Sequence, residues 1–426
     1  MVILCIAFVV LLFLNMPLAF TIGISSMLFI LLEPNLPFSI AVQRMISSTQ
    51  SFPLLAVPFF VFAGNLMNVS GITKRLMGFA EVLTGHMIGG LAHVSCVLSA
   101  LMGGISGSAV ADAAMEARLL GPTMVKSGYS KGYTAAVIAL TSLITATIPP
   151  SIGLILYGFV GEVSIGKLFV GGIVPGLLMT IILMVTSYIT SKKKGYGVAR
   201  AKRASFKEVV DSFKQSVWAL LFPFILIFGI RFGVFTPSEG GAFAVVYAFI
   251  VGKFVYKELS WGDLQKSLRQ SVTDIGIIML IISTSGIFGY VISYERVPQN
   301  LAEFIISITQ NPNLLLFIIL TFLFIAGMFM EATVNTLLLT PIFLPIIRSV
   351  GIDPVHFGLL MMTIVTMGGM TPPVGATMYT TCSLLDCPTD EYVKESIPFV
   401  IAIIIEVIIL AAFPQIILFL PNLIFK

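Results

Sequence analysis

Two doubled prolines, Pro149-Pro150 and Pro372-Pro373, each interrupt an apolar run, in Thr147-Ile148-Pro149-Pro150-Ser151-Ile152-Gly153 and in Met370-Thr371-Pro372-Pro373-Val374-Gly375. Proline has no amide donor and clashes with the carbonyl one turn earlier, so two in succession end or break a helix and leave carbonyl oxygens unpaired. Hydroxyls surround both breaks: Thr145, Thr147 and Ser151 at the first, and Thr366, Thr371 and Thr377 at the second. Such oxygens suit a hard cation such as Na⁺. The competing account for each threonine is a hydrogen bond to its own helix backbone.

A second set of residues precedes each break. Gly103-Gly104-Ile105-Ser106-Gly107-Ser108 and Glu331-Ala332-Thr333-Val334-Asn335 put small or polar residues inside apolar segments, and a chain that bends there forms a re-entrant hairpin. The tip of such a hairpin presents a helix N-terminus to an anion or carbonyls to a cation. Ser106, Gly107 and Ser108 are candidates on these grounds, against the alternative that small residues only bring helices close together. Asp112, Glu331 and Asn335 add polar groups where burial is costly and usually marks an ion or substrate path. Glu116 and Arg118 could instead pair with each other at a membrane edge. Arg231 and Arg348, at the ends of apolar runs, read as snorkelling side chains.

A single offset of 223 residues superposes these features. It carries Gly104 onto Gly327, Asp112 onto Asn335, Pro122 onto Pro345, Pro149-Pro150 onto Pro372-Pro373 and Pro175 onto Pro398. The chain therefore reads as two copies of one unit, residues 1–190 and 215–426, joined by a basic linker at 191–214. Each copy begins with long spans, at 2–32 and 53–67 in the first and at 217–256 and 275–294 in the second. Short, Gly/Pro-interrupted segments at corresponding positions of two repeats point to the binding site of a secondary transporter.

Composition sets the surroundings. Of 426 residues, 57% are hydrophobic and 10% charged, far from the roughly 25% charged residues of a soluble domain. Apolar runs of about 20 residues recur, each matching the bilayer core, and none alternates as a barrel strand does. This is an all-α polytopic bundle. Soluble enzymes, disulfide modules and nucleic-acid binders are excluded. Lys192, Lys193, Lys194, Arg200, Lys202, Arg203, Lys207 and Lys214 mark the linker as cytoplasmic, which explains that patch without nucleic acid. With no Lys or Arg before Arg44, the N-terminus lacks a signal-peptide n-region and is expected to start on the non-cytoplasmic side. The cysteines (Cys5, Cys96, Cys382, Cys387) and histidines (His86, His93, His356) show no metal spacing, and no phosphate-binding loop supports an ATPase. No cofactor is expected; an ion gradient is the remaining energy source.

The segments GGISGSAVADAAMEARLLGP (103–122), IPPSIGLILYG (148–158), SIGKLFVGGIVPG (164–176), FTPSEGGAFA (235–244), GMFMEATVNTLLLTPIFLPI (327–346) and MTPPVGATMY (370–379), with SFPLLAVPFFVFAGNLMN (51–68), resemble the large membrane subunit of tripartite ATP-independent periplasmic (TRAP) transporters. The resemblance implies two inverted repeats, a scaffold and a mobile transport domain of the ion-transporter-superfamily type, and elevator-like alternating access driven by Na⁺. It implies Na⁺ sites at the hairpin tips and broken helices, here Ser106, Ser108, Pro149, Gly327, Gly369 and Thr371. The substrate and ion path would pass Ser106, Gly107, Ser108, Asp112, Ser151, Glu331, Asn335 and Thr377. The implied partners are a small four-helix membrane subunit, a periplasmic substrate-binding protein, a carboxylate substrate (a C4-dicarboxylate, sialic acid or related sugar acid) and the lipid of a bacterial inner membrane. Two alternatives remain: an ion-coupled carboxylate transporter or antiporter that needs no binding protein, and an intramembrane serine protease using Gly104-Ile105-Ser106-Gly107 with His356 as base.

Overall fold

The computed structural model describes residues 2–14, 16–309 and 311–425, and among the described residues there is no strand. The first half of the chain contributes α1 (Val2–Phe13), α2 (Leu18–Leu32), α3 (Ser39–Ser47), α4 (Ala56–Val69), α5 (Ile72–Thr84), α6 (Gly90–Gly103), α7 (Ala109–Leu119), α8 (Gly121–Lys126), α9 (Lys131–Thr147), α10 (Ile152–Val160) and α11 (Ile165–Lys194). The second half contributes α12 (Phe206–Arg231), α13 (Pro237–Ile250), α14 (Trp261–Tyr294), α15 (Val297–Ile308), α16 (Pro312–Phe329), α17 (Ala332–Ser349), α18 (Pro354–Gly368), α19 (Ala376–Leu385), α20 (Thr389–Ala412) and α21 (Pro414–Ile424). Eight helices among the described residues are long and apolar enough to cross a membrane, and α9 with α10 makes a further span bent by 46°.

Local signals explain the boundaries. Ser130, Ser151 and Ser164 cap α9, α10 and α11 through side-chain oxygens, and Asn311 and Asp353 cap α16 and α18 ahead of a proline in the first turn. Ser205 with Glu208 and Thr236 with Glu239 form capping boxes that start α12 and α13. Two long spans expected from hydropathy are each a pair of helices. Residues 2–32 break ahead of Pro17, and residues 217–256 break at the Phe232–Thr236 turn, where Gly233 takes φ +69° and Pro237 restarts the helix. Hydropathy averages over such breaks, because the turn residues between the helices are themselves largely apolar.

The 223-residue offset also pairs helices. α5, α6, α7, α9, α10 and α11 start within two residues of the positions that α15, α16, α17, α18, α19 and α20 require. The first hairpin turns over Gly104–Ser108; the second turns only at Met330–Glu331, and Ala332–Asn335 already belong to α17. α7 packs on α19 and α17 packs on α10, so each hairpin helix rests on the half-helix of the other repeat.

Packing divides the helices into two groups. α2, α4, α13 and α14 pack together, while α6, α9, α11, α18 and α20 form the second group with the hairpins around it. The outward faces are apolar, as Leu177, Ile181, Val185 and Ile189 on α11 and Ile397, Ile401, Ile405 and Ile408 on α20 illustrate. With inward faces that bury serines, threonines and carboxylates, this is the pattern of a multi-pass membrane protein.

Candidate functional site

The two breaks and the two tips meet in space. At the first, Gly107 stands at φ +60°, where only glycine is comfortable, and its carbonyl accepts a hydrogen bond from Ile152 N at 3.3 Å. A Cβ on Gly107 would lie 2.4 Å from Pro150 O. At the second, Met328 O accepts from Val374 N at 3.2 Å and from Gly375 N at 3.1 Å, just past Pro372-Pro373. Each tip is thus tied by backbone bonds to the broken helix of its own repeat.

These four segments line one side of a cavity of about 640 Å³ that separates the two helix groups. Of the sequence-derived candidates, Gly107, Ser108, Ser151, Glu331, Thr366, Gly369 and Thr377 line it. Ala109, Ile152, Ala332 and Ala376, the first residues of α7, α10, α17 and α19, also line it, so four helix N-termini converge on the space. Ser108 and Ser151 cap the first two, and Glu331 caps α17 with Oε2 3.0 Å from Thr333 N. Converging N-termini favour negative charge. α2 and α14 form the opposite wall through residues 17–20 and 274–281.

Behind the tips lie the candidates that do not line the cavity. Thr145 Oγ1 donates to Asp112 Oδ2 at 2.6 Å, while Asp112 Oδ1 is buried with no hydrogen-bond partner. Asn335, its equivalent at the 223-residue offset, donates Nδ2 to Met330 O at 2.8 Å and likewise leaves Oδ1 buried without a partner. Ser106 Oγ is in the same condition, as is Oγ1 of Thr366, whose residue does line the cavity. Four buried oxygens near the tips therefore have unused lone pairs, which is what a hard cation requires. Thr371 donates to Gly368 O at 2.8 Å and Thr147 to Leu143 O at 3.0 Å, the backbone bonds that compete with a ligand role. Pro149 is part of the first break, and Gly327 packs so closely on α18 that a Cβ would lie 2.4 Å from Val365 O.

The sequence reading missed or misjudged several groups. Glu116 does not sit at a membrane edge with Arg118: it is fully buried, takes Ser99 Oγ at 2.8 Å and is bonded by Ser95, whereas Arg118 is exposed. The charge alternation suggested an ion pair, but on a helix residues two apart face different ways. Asp274, on the α14 wall, was missed because hydropathy starts that span at 275 and leaves Asp274 outside it. The helix in fact runs from Trp261 to Tyr294. Ser106 and His356 do not form a nucleophile–base pair, since His356 Nε2 is 2.9 Å from Leu410 O and Ser106 Oγ has no partner.

Residues 5–416 match the family described as the tripartite ATP-independent periplasmic transporter, DctM component. The chain belongs to this family. It is 38% identical over 413 residues to the sialic acid TRAP transporter large permease protein SiaM of Vibrio cholerae, covering 97% of this chain and 96% of that one. It is 34% identical over 403 residues to the C4-dicarboxylate TRAP transporter large permease protein DctM of Pseudomonas aeruginosa, covering 94% of each. The crystal structure of the Alcanivorax borkumensis YdaH transporter, described as having an unusual topology, superposes with a TM-score of 0.68 over 90% of both chains. At 12% identity that likeness speaks to fold alone. As a TRAP large permease the chain is a transporter subunit and not an enzyme, which removes the protease alternative.

Proposed function

We propose that this chain is the large permease subunit of a Na⁺-gradient-driven uptake system for an organic acid in the bacterial inner membrane. It works with a small membrane subunit and takes its substrate from a periplasmic binding protein. The observation that carries the Na⁺ reading is the pair of buried, unpartnered oxygens on Asp112 and Asn335, one behind each hairpin tip at equivalent positions. The relatives named for sialic acid and for C4-dicarboxylates support an organic acid as substrate.

The geometry gives coupling a physical basis. Among the described residues lining the cavity there is no Lys, Arg or His, while Glu331 and Asp274 are both there. An anion entering this space gains from the helix N-termini but meets negative charge in a poorly screened setting. Na⁺ held by the oxygens behind the tips offsets that charge, so acid and ion bind better together than apart. The cavity lies between two helix groups, and movement of the tip-bearing group past the α2/α14 wall would open it to alternate sides.

The test is reconstitution of the purified chain with its small subunit, with labelled acid uptake followed with and without an inward Na⁺ gradient and a cognate binding protein. The expected result is uptake only when both are present. Uptake driven by Na⁺ without the binding protein would move the chain to a two-component transporter, and uptake indifferent to Na⁺ would remove the coupling ion.

A further inference from the structure

The first hairpin tip is seated on the wall it faces. The Cβ that Gly64 of α4 lacks would lie 3.3 Å from Ser106 Cα, and one on Gly104 would overlap the ring of Pro223 on α12, which packs against α13. Two glycines, one on the wall and one on the tip, thus let the tip backbone close onto α4 and α12.

The residue after Gly64 brings a fixed charge to this contact. Asn65 Nδ2 donates to Ser271 Oγ at 3.0 Å and to Asp274 Oδ2 at 3.0 Å, and Gln270 Nε2 donates to Asp274 Oδ1 at 2.8 Å. Both donors to Asp274 are neutral, and among the described residues that line the cavity there is no Lys, Arg or His to pair with it. The carboxylate is therefore held on α14, beside the first tip, facing a space that Gly107, Ser108 and Ala109 also line.

What faces that charge changes with the load. The unpartnered oxygens of Ser106 and Asp112 belong to the first tip and the helix behind it, so Na⁺ held there puts positive charge on the tip-bearing group opposite Asp274. Charges that face each other across a protein-lined space are screened less than charges on an open surface. An acid in the cavity places its own negative charge between the two and weakens their attraction.

On the reading of the chain as a Na⁺-driven organic-acid permease, we propose that Asp274 is a coupling residue. It holds the tip-bearing group against α4 and α14 when Na⁺ is bound alone, and the arriving acid releases it. With neither ion nor acid bound, only the partial charges of the helix N-termini face Asp274, so the hold is weaker and the empty carrier is free to return. Na⁺ then crosses only together with its acid. Asp274 acts as a fixed charge and not as a ligand, so its loss uncouples ion from acid rather than weakening the binding of either.

The test uses the chain with its small subunit in proteoliposomes, without acid and without binding protein, and follows entry of radioactive Na⁺ down an inward gradient. The parent is expected to pass Na⁺ slowly. Asp274→Asn is expected to pass it about tenfold faster or more, at a rate that saturates as Na⁺ rises, the mark of a moving carrier rather than a hole. Asp274→Glu keeps the charge and is expected to leak like the parent, which separates charge from folding. Asn65→Ala, which frees Asp274 to turn away, is expected to leak at an intermediate rate. Parent-like Na⁺ entry in folded Asp274→Asn overturns the proposal, and Asn65→Ala decides the same question if the first variant does not reach the membrane. Entry that rises linearly with Na⁺ in place of saturating also overturns it. So does a rise of about tenfold in the Na⁺ concentration that half-saturates acid uptake by Asp274→Asn, which would make Asp274 an ion ligand. Acid uptake by the parent that is indifferent to Na⁺, measured in the same vesicles with a cognate binding protein, overturns the coupling reading on which the proposal rests.

Discussion

Ser108 and Glu331 stand 223 residues apart and cap equivalent helices, Ser108 through Ala111 N and Glu331 through Thr333 N, yet one is neutral and the other carries a carboxylate. The repeat that builds the cavity thus also makes its two tips unequal.

Replacing Glu331 separates its two roles. Glu331→Ser keeps an N-cap oxygen and is expected to hold stability within about 0.5 kcal/mol, whereas Glu331→Ala costs about 1 kcal/mol. Both are expected to lose at least tenfold in acid uptake, because both remove the charge. Thermal unfolding alongside uptake in proteoliposomes checks the pair, and wild-type uptake by the serine variant would free Glu331 from any role beyond capping.

Ser106 tests the ion reading most cleanly. Its hydroxyl is buried and has no protein partner, so Ser106→Ala removes no hydrogen bond and is expected to shift stability by less than about 0.5 kcal/mol. If the hydroxyl is a Na⁺ ligand, the same change abolishes uptake or raises the half-saturating Na⁺ concentration by tenfold or more. Asp112→Ala and Thr371→Ala are expected to abolish uptake likewise, with folded protein still in the membrane. A Na⁺ titration of uptake decides each residue separately.

The network behind the first tip is structural as well. Thr145→Val deprives Asp112 Oδ2 of its donor, and Glu116→Ala leaves the hydroxyl of Ser99 without the acceptor it now has at 2.8 Å. Each is expected to destabilise the chain by about 1–3 kcal/mol. Only Thr145→Val, next to the unpartnered oxygen of Asp112, is expected to change the Na⁺ dependence as well. Equal effects on Na⁺ half-saturation would mean that Glu116 shares the ion site.

Gly107→Ala meets two obstacles at once, a left-handed backbone at φ +60° and a Cβ placed 2.4 Å from Pro150 O. The backbone alone costs about 1–3 kcal/mol. Because the contact ties the first tip to the first break, the variant is expected to lose uptake even where it folds. Gly128→Ala is the comparison, since Gly128 has φ +90° and open space around its Cβ position, so it should lose stability but keep activity.

Much of this protein is determined by the sequence itself. Doubled prolines break helices wherever they fall, and apolar runs with few charges have no stable home outside a membrane, so Pro149-Pro150 and Pro372-Pro373 located the breaks without coordinates. The offset of 223 residues likewise named Asp112 and Asn335 as partners in kind. Chain-local physics reaches no further. That Gly107 closes on Ser151–Ile152 and that Glu116 turns inward to Ser95 and Ser99 depend on which helices become neighbours, and hydropathy is silent on that. Asp274 shows the limit best: in the sequence it ends a polar stretch, and only the packing of α14 beside α4 gives it Asn65 as a donor and a wall of the cavity to occupy. Side-chain type and spacing are properties of the chain, but facing is a property of packing, and a binding site is made of facing.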